Sequence, residues 1–306
     1  MDLTAFVIQQ IVNAIFLGSI YALIALGYTM VYGIIELINF AHGELFAAGA
    51  FIGVIVLSGF QSAGWVDSHF VLTLILTFGL AMAYVAALGV ALEHIAYKPL
   101  RKASKLSALL SALGMSIFLS NGMMLSQGVS DRAYPPVFGL GGIEFWGAKI
   151  TYGQVFIIIL AVFLMMGLQM FVNKTRLGKA MRATAQNQTM ARILGIDIDQ
   201  TIRITFMIGP ALGAAAGVMV GLYYGAVRFD MGFLFMIKAF AAAILGGIGS
   251  IPGAMLGGLI IGTIEVMWTA FLPSAWKDVT TFTVLILVLY LKPSGLLGIG
   301  GGEKRV

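Results

Sequence analysis

NKTRLGKAMRATAQNQTMARILGIDIDQTIR, residues 173–203, is a polar, basic stretch set between two long apolar runs. It carries Lys174, Arg176, Lys179, Arg182, Arg192 and Arg203 against only Asp197 and Asp199. The runs on either side, 150–173 and 204–227, contain no charged residue. A helix needs about 20 apolar residues to cross a bilayer, so each run is long enough to span. Short basic loops of membrane proteins stay on the cytoplasmic side. The stretch therefore reads as a cytoplasmic loop of a polytopic membrane protein, and it is long enough to be a docking element for something in the cytoplasm.

Composition agrees. Of 306 residues, 60% are hydrophobic and only 10% charged, with a mean hydropathy of +0.99. A soluble core of this length cannot hide that much apolar surface, so lipid must act as the solvent. The net charge of +5 sits in loops between apolar runs, which argues against nucleic acid as a partner. Cysteine is absent, which excludes disulfides and thiolate metal sites. The first run, 3–35, is uncharged and has no basic segment before it. It is too long for a signal-peptide core and reads as a retained span.

Uncharged runs place the spans at 3–35, 45–66, 70–92, 106–130, 150–173, 204–227, 239–264 and 279–291. None shows the alternation of a β-barrel, so they are helices. Three basic clusters orient them: Lys98, Arg101, Lys102 and Lys105; residues 173–203; and Lys292, Lys304 and Arg305. All three are expected in the cytoplasm. A single span at 239–264 would leave the C-terminal tail outside. A break at Gly246-Gly247-Ile248-Gly249-Ser250-Ile251-Pro252-Gly253 returns it inside. The break is the preferred reading, because Pro removes a backbone donor and the glycines loosen the turn. The expected fold is an all-α polytopic membrane protein of eight to nine helices with a broken or re-entrant Gly-rich segment. Nine spans with the N-terminus outside is the first choice, and eight with a re-entrant segment the alternative. Residues 1–306 form one transmembrane domain, with 173–203 as its cytoplasmic coupling loop.

Gly213, Gly217, Gly221 and Gly225 recur at every fourth residue, and Gly49 with Gly53 and Gly258 with Gly262 repeat the spacing. Small residues at i and i+4 let membrane helices approach closely, so packing is the expected role. Polar groups at membrane depth are candidates for function. Glu36, Asn39, His42 and Glu44 form one such set, with Asn39 placed to cap the following helix; a polar turn at the membrane surface is the plainer alternative. His42 and Glu44 lie about 200° apart around a helix and cannot face one spot. Glu265, at the end of an apolar run, is either a pathway residue or a boundary residue beside Trp268, and Glu93 with His94 reads as interfacial. Arg228, Asp230 and Lys238 form a third group on the expected outer face. No catalytic set, zinc signature or phosphate-binding loop is present.

Several stretches resemble the permeases of branched-chain amino acid ABC importers. They are Gly27-Tyr28-Thr29-Met30-Val31-Tyr32-Gly33, Ile38-Asn39-Phe40-Ala41-His42-Gly43-Glu44, Lys238-Ala239-Phe240-Ala241-Ala242-Ala243-Ile244-Leu245-Gly246-Gly247-Ile248-Gly249-Ser250 and Pro293-Ser294-Gly295-Leu296. The likeness runs in order along nearly the whole chain and is closest to the H-type permease. Such permeases carry an EAA-xxx-G segment that docks on the ATPase; Thr189-Met190-Ala191 followed by Gly195 occupies that pattern, and Ala191 and Gly195 keep its letters. The resemblance implies a complex in the bacterial inner membrane. Its other parts are an M-type permease as heterodimer partner, two cytoplasmic ABC ATPases that bind ATP and Mg, and an extracytoplasmic binding protein. No cofactor is expected on this chain, and no enzymatic activity.

The expected substrate is a branched-chain or related amino acid, with urea or a short amide as the alternative. A proton-coupled carrier using His42, Glu44 or Glu265, and an intramembrane enzyme, are the competing classes. The substrate pathway is expected at Asn39, His42, Glu44 and Glu265. The ATPase contact is expected at Arg182, Ala183, Met190, Ala191, Arg192 and Gly195, with residues 183–195 forming one short helix that Gly195 ends as a left-handed cap. The helix break is expected at Gly246, Gly247, Gly249, Pro252 and Gly253.

Overall fold

The computed structural model describes residues 3–101, 103–139 and 141–298. In chain order the elements are α1 (Leu3–Ile35), α2 (His42–Ser62), one-turn α3 (Trp65–Ser68), α4 (Phe70–Leu92), α5 (Lys105–Gln127), β1 (Arg132–Ala133), β2 (Gly142–Phe145), β3 (Ala148–Thr151), α6 (Tyr152–Lys174), α7 (Arg176–Gln186), α8 (Gln188–Ile193), α9 (Ile198–Tyr224), β4 (Ala226–Val227), α10 (Met231–Gly246), α11 (Ile251–Phe271) and α12 (Lys277–Leu291). A π turn, Glu93–Tyr97, and a 3-10 turn, Lys98–Leu100, extend α4.

Among the described residues, eight helices are long and apolar enough to cross a membrane. The apolar helix α10 has 16 residues. At 1.5 Å per residue it reaches roughly 24 Å, short of a hydrocarbon core of about 30 Å. The helix lengths thus match the second of the two expected counts: eight spans and one short segment.

The chain forms two compact units. The unit built from residues 30–137 and 166–236 has α2, α4 and α9 at its centre. Here the glycine stripe does what its spacing suggests. Gly213 faces His42 and Phe46, and Gly217 lies so close to α2 that a Cβ would overlap the Phe46 carbonyl oxygen. Gly53 lies beside Val218, so α2 and α9 run parallel. Gly225 has a different job: it ends α9 with φ +71°, and its carbonyl accepts from the Tyr134 N–H at 2.8 Å. Pro210 sits inside α9 and cannot donate to the Phe206 carbonyl. Gly89 of α4 packs on this spot, where a Cβ would overlap that freed oxygen. β1 and β4 pair antiparallel, Arg132 opposite Val227. Tyr134 follows them and lays its ring against Gly221.

Gly217→Leu is expected to force α2 away from α9. Overpacking of this kind costs about 1–3 kcal/mol. A lower melting midpoint of the detergent-purified protein checks it; an unchanged midpoint would mean that the contact is loose.

The other unit holds residues 3–29, 138–165 and 237–298 among those described. Gly258 and Gly262 of α11 press on Ala22 and Gly18 of α1. α10 and α11 run antiparallel, since Gly246 meets Gly253 and Ala242 meets Gly257. The expected break therefore exists. Gly247 and Gly249 take φ of +103° and +90°, which disfavours other residues there. Ser250 caps α11 by accepting from the Gly253 N–H at 3.2 Å. Pro252 lies in the first turn of α11, where its missing N–H does no harm. The last carbonyls of α10 find donors in the C-terminal segment: Leu296 N–H bonds Leu245 at 2.8 Å, and Leu297 N–H bonds Gly246 at 2.9 Å. The Pro293-Ser294-Gly295-Leu296 stretch is thus the cap of α10.

Two boundaries differ from the expectation for local reasons. α9 starts at Ile198 rather than at 204, because Asp197 accepts from the Gln200 N–H at 3.0 Å and so carries the helix past Asp199 and Arg203. Residues 183–195 are not one helix. Asn187 is extended and its side chain accepts from the Met190 N–H at 3.0 Å, so it ends α7 and begins α8.

Candidate functional site

α1 ends on a strained residue. Glu36 takes φ +53°, and its N–H bonds the Tyr32 carbonyl at 2.8 Å. A left-handed residue that is not glycine costs about 1–2 kcal/mol. The chain then leaves helical geometry until α2 begins at His42. Asn39 is buried, and its Oδ1 accepts from the Ala41 N–H at 3.1 Å and from the Tyr97 hydroxyl at 3.1 Å. It closes the turn ahead of α2 rather than capping the helix itself, whose N-cap is Ala41 with no side-chain bond.

His42 is fully buried against Gly213, and Glu44 is 3% exposed. Glu44 Oε1 accepts from the Ser116 hydroxyl at 3.3 Å, while Oε2 has no hydrogen-bond partner among the described residues. The register gives the depth. Gly213 lies nine residues past Ile204, the first residue after the last charge of the loop, Arg203. At 1.5 Å per residue that is roughly 14 Å, near the middle of a 30 Å core. Non-helical backbone at this depth is tolerated only when buried in protein or lining a cavity. Asn39 and Ala41 of this stretch are buried, whereas Glu36 is exposed. The first turn of α2 holds Glu44, a carboxylate with a free lone pair at a helix end that favours negative charge.

Glu265 is placed differently. Its Oε1 accepts from Lys238 at 2.7 Å and faces Lys277 at 3.1 Å; its Oε2 accepts from the Tyr21 hydroxyl at 2.7 Å. Lys238 also pairs with Asp278 at 2.9 Å and lies over the Tyr21 ring. Lys238 and Glu265 are both buried. The structure separates the sequence-stated trio: Arg228 and Asp230 form an exposed pair, whose hydrogen bond holds the Arg228 pKa up, while Lys238 joins Glu265. The sequence held one hint, since Lys238 is the sole charge between Asp230 and Glu265. Glu93 is buried within the protein and is paired with Arg101 of the adjoining basic cluster. Arg101 also bonds Asp199 at 2.6 Å.

In the loop, Arg182 turns back onto the Val172 carbonyl and the Asn173 side chain, where a cation suits the C-terminal end of α6. Ala183 is half-buried and Arg192 exposed. α8 ends in a Schellman motif: Gly195 N–H bonds Arg192 and Ile196 N–H bonds Ala191, both at 3.0 Å, with Gly195 at φ +81°. Ala191 is buried, whereas Met190, Ile193 and Leu194 are 57%, 73% and 78% exposed. The basic loop thus exposes three large apolar side chains close together in sequence.

Eight apolar helices of spanning length, with buried polar groups among them and an exposed basic loop, define a polytopic membrane protein. The chain belongs to the family described as branched-chain amino acid transport system / permease component, which matches residues 10–289. It is 45% identical over 301 residues to the high-affinity branched-chain amino acid transport system permease protein LivH of Salmonella typhimurium, covering 97% of each chain. It is equally similar, with the same coverage, to the high-affinity branched-chain amino acid transport system permease protein BraD of Pseudomonas aeruginosa. A probable branched-chain amino acid transport permease protein LivH of Methanocaldococcus jannaschii is 30% identical, with 94% of this chain and 91% of that one covered. No solved structure matches. The family is one of transport-system permease components.

Proposed function

We propose that the chain is the H-type permease of an ATP-driven importer of branched-chain amino acids, paired with an M-type permease. Two cytoplasmic ATPases holding ATP and Mg drive it, and an extracytoplasmic binding protein delivers the substrate. The observation that carries this reading is the full-length similarity at 45% identity to relatives named for branched-chain amino acid transport. The exposed patch Met190, Ile193 and Leu194 supports an ATPase contact on α8. Asn39, His42 and Glu44 line the substrate route, with the free Glu44 oxygen suited to an ammonium group. Glu265, held in its ion-pair cluster, is the further candidate residue of the route. Purification of the tagged chain from its own membrane is expected to bring an ATPase with it; recovery of the chain without any ATPase, in a mild detergent, overturns the reading.

The bacterial inner membrane is the proposed location, with residues 98–105, the loop and the C-terminal tail in the cytoplasm. After the loop the full-length spans are α9, α11 and α12, so a tail on the loop's side requires the short α10 to complete the return between α9 and α11. The chain has no cysteine, so Ser104→Cys supplies a unique thiol. An impermeant reagent should label it only after the cells are opened, and labelling in intact cells would reverse the orientation. Within the route, Asn39→Ala and Glu44→Gln should each lower uptake about tenfold, the effect of ~1.4 kcal/mol at the barrier, while the ATPase still copurifies. Wild-type uptake by both variants would move the route elsewhere.

A further inference from the structure

α8 is fastened to the membrane helices by one hydrogen bond with a specific address. The Gln188 Nε2 donates to the Ile34 carbonyl at 2.9 Å. Ile34 belongs to the last turn of α1, whose carbonyls have no donors within the helix. Gln188 therefore caps α1 from across the loop. Two residues later comes the strained Glu36, and three residues beyond that Asn39, which holds the turn into His42 and Glu44. A second connection ends on the same residue. Asp199, in the first turn of α9, bonds Arg101 at 2.6 Å; Arg101 pairs with buried Glu93; and Tyr97, in the same π turn as Glu93, donates to Asn39 at 3.1 Å. Both ends of the stretch that follows α7 are thus linked to Asn39. π turns inside helices occur often at functional positions.

We propose that Gln188 is a positioning residue that transmits displacement of α8 to the 36–44 segment, so that docking and drive at the loop reset the geometry of Asn39 and Glu44. This rests on the importer reading above. The chemistry makes the claim specific. Only a donor satisfies a helix carbonyl, and a cation there also suits the negative end of α1. Gln188 is exposed at the surface of the loop, so substitutions do not disturb a core.

The test uses the full complex, copurified and reconstituted with its ATPase and binding protein, for the native chain and for Gln188→Lys, Gln188→Leu and Gln188→Glu. The readouts are ATPase retention, ATP hydrolysis rate and substrate molecules moved per ATP. Gln188→Lys keeps a donor and is expected to hold the native coupling ratio. Gln188→Leu removes the donor and Gln188→Glu sets a carboxylate against the carbonyl; both are expected to retain the ATPase and its hydrolysis but to move at least fivefold less substrate per ATP. Native ratios in Gln188→Leu and Gln188→Glu overturn the proposal, as does equal loss in all three variants, which would mark a purely steric requirement. Loss of the ATPase from the Leu and Glu variants also overturns it, because Gln188 would then be a docking contact. Absence of an ATPase from the native preparation would instead strike the importer reading.

Discussion

Lys238→Met is expected to abolish most of the folded protein. It leaves Glu265 buried with Tyr21 and the partly exposed Lys277 as its remaining partners. Removing one member of a buried ion pair typically costs 3–5 kcal/mol, because the other charge stays behind uncompensated. Lys277 at 3.1 Å softens this, so about 3 kcal/mol is expected. Replacing both charges with apolar residues of similar volume is often neutral. Lys238→Met with Glu265→Met should therefore recover a melting midpoint and a yield near native. If the single and double variants are equally impaired, each side chain matters by itself and the pair is not the unit of stability.

Gly195→Trp should leave a folded protein that no longer transports. No atom lies within 4 Å of a Cβ built at Gly195, so a side chain there starts into open space. It stands beside Leu194, on the patch proposed to meet the ATPase. The backbone needs a control, since φ +81° is unfavourable for Trp. Gly195→Asn supplies it, because Asn tolerates the left-handed region while adding little bulk. The expected outcome is native uptake in the Asn variant, and in the Trp variant at least a tenfold loss, about 1.4 kcal/mol, with normal amounts in the membrane. Native uptake by Gly195→Trp would remove the patch from the interface.

These two sites show what the sequence made legible. Gly195 could be read because its role is local: a glycine after a short apolar helix takes the left-handed cap. The same holds for the break at 246–253, where glycine and proline act on their own backbone, and for the long spans, where absence of charge is enough. The Lys238–Glu265 pair could not be read, because its members are 27 residues apart and meet only when α10 folds back along α11. His42 was visible as a polar residue near a boundary, yet its depth depends on the register of α2 against α9, which Gly213 and Gly217 set. The division of 183–195 was missed for a reason of competing local chemistry. Ala183, Ala185, Met190, Ala191 and Leu194 have helical spacing, but the Asn187 side chain offers the Met190 N–H a better partner than the helix does. The bonds of Arg182 to the end of α6 are likewise not legible in the sequence, since they depend on how α7 turns back from α6.

The energy source of uptake tests the central claim most directly. Cells expressing the intact system should take up a labelled branched-chain amino acid at an undiminished rate when a protonophore collapses the proton gradient and ATP is held up by glycolysis. Uptake should stop when ATP is depleted with the gradient maintained. Uptake that follows the proton gradient and ignores ATP would contradict the account and assign His42 and Glu44 to proton coupling.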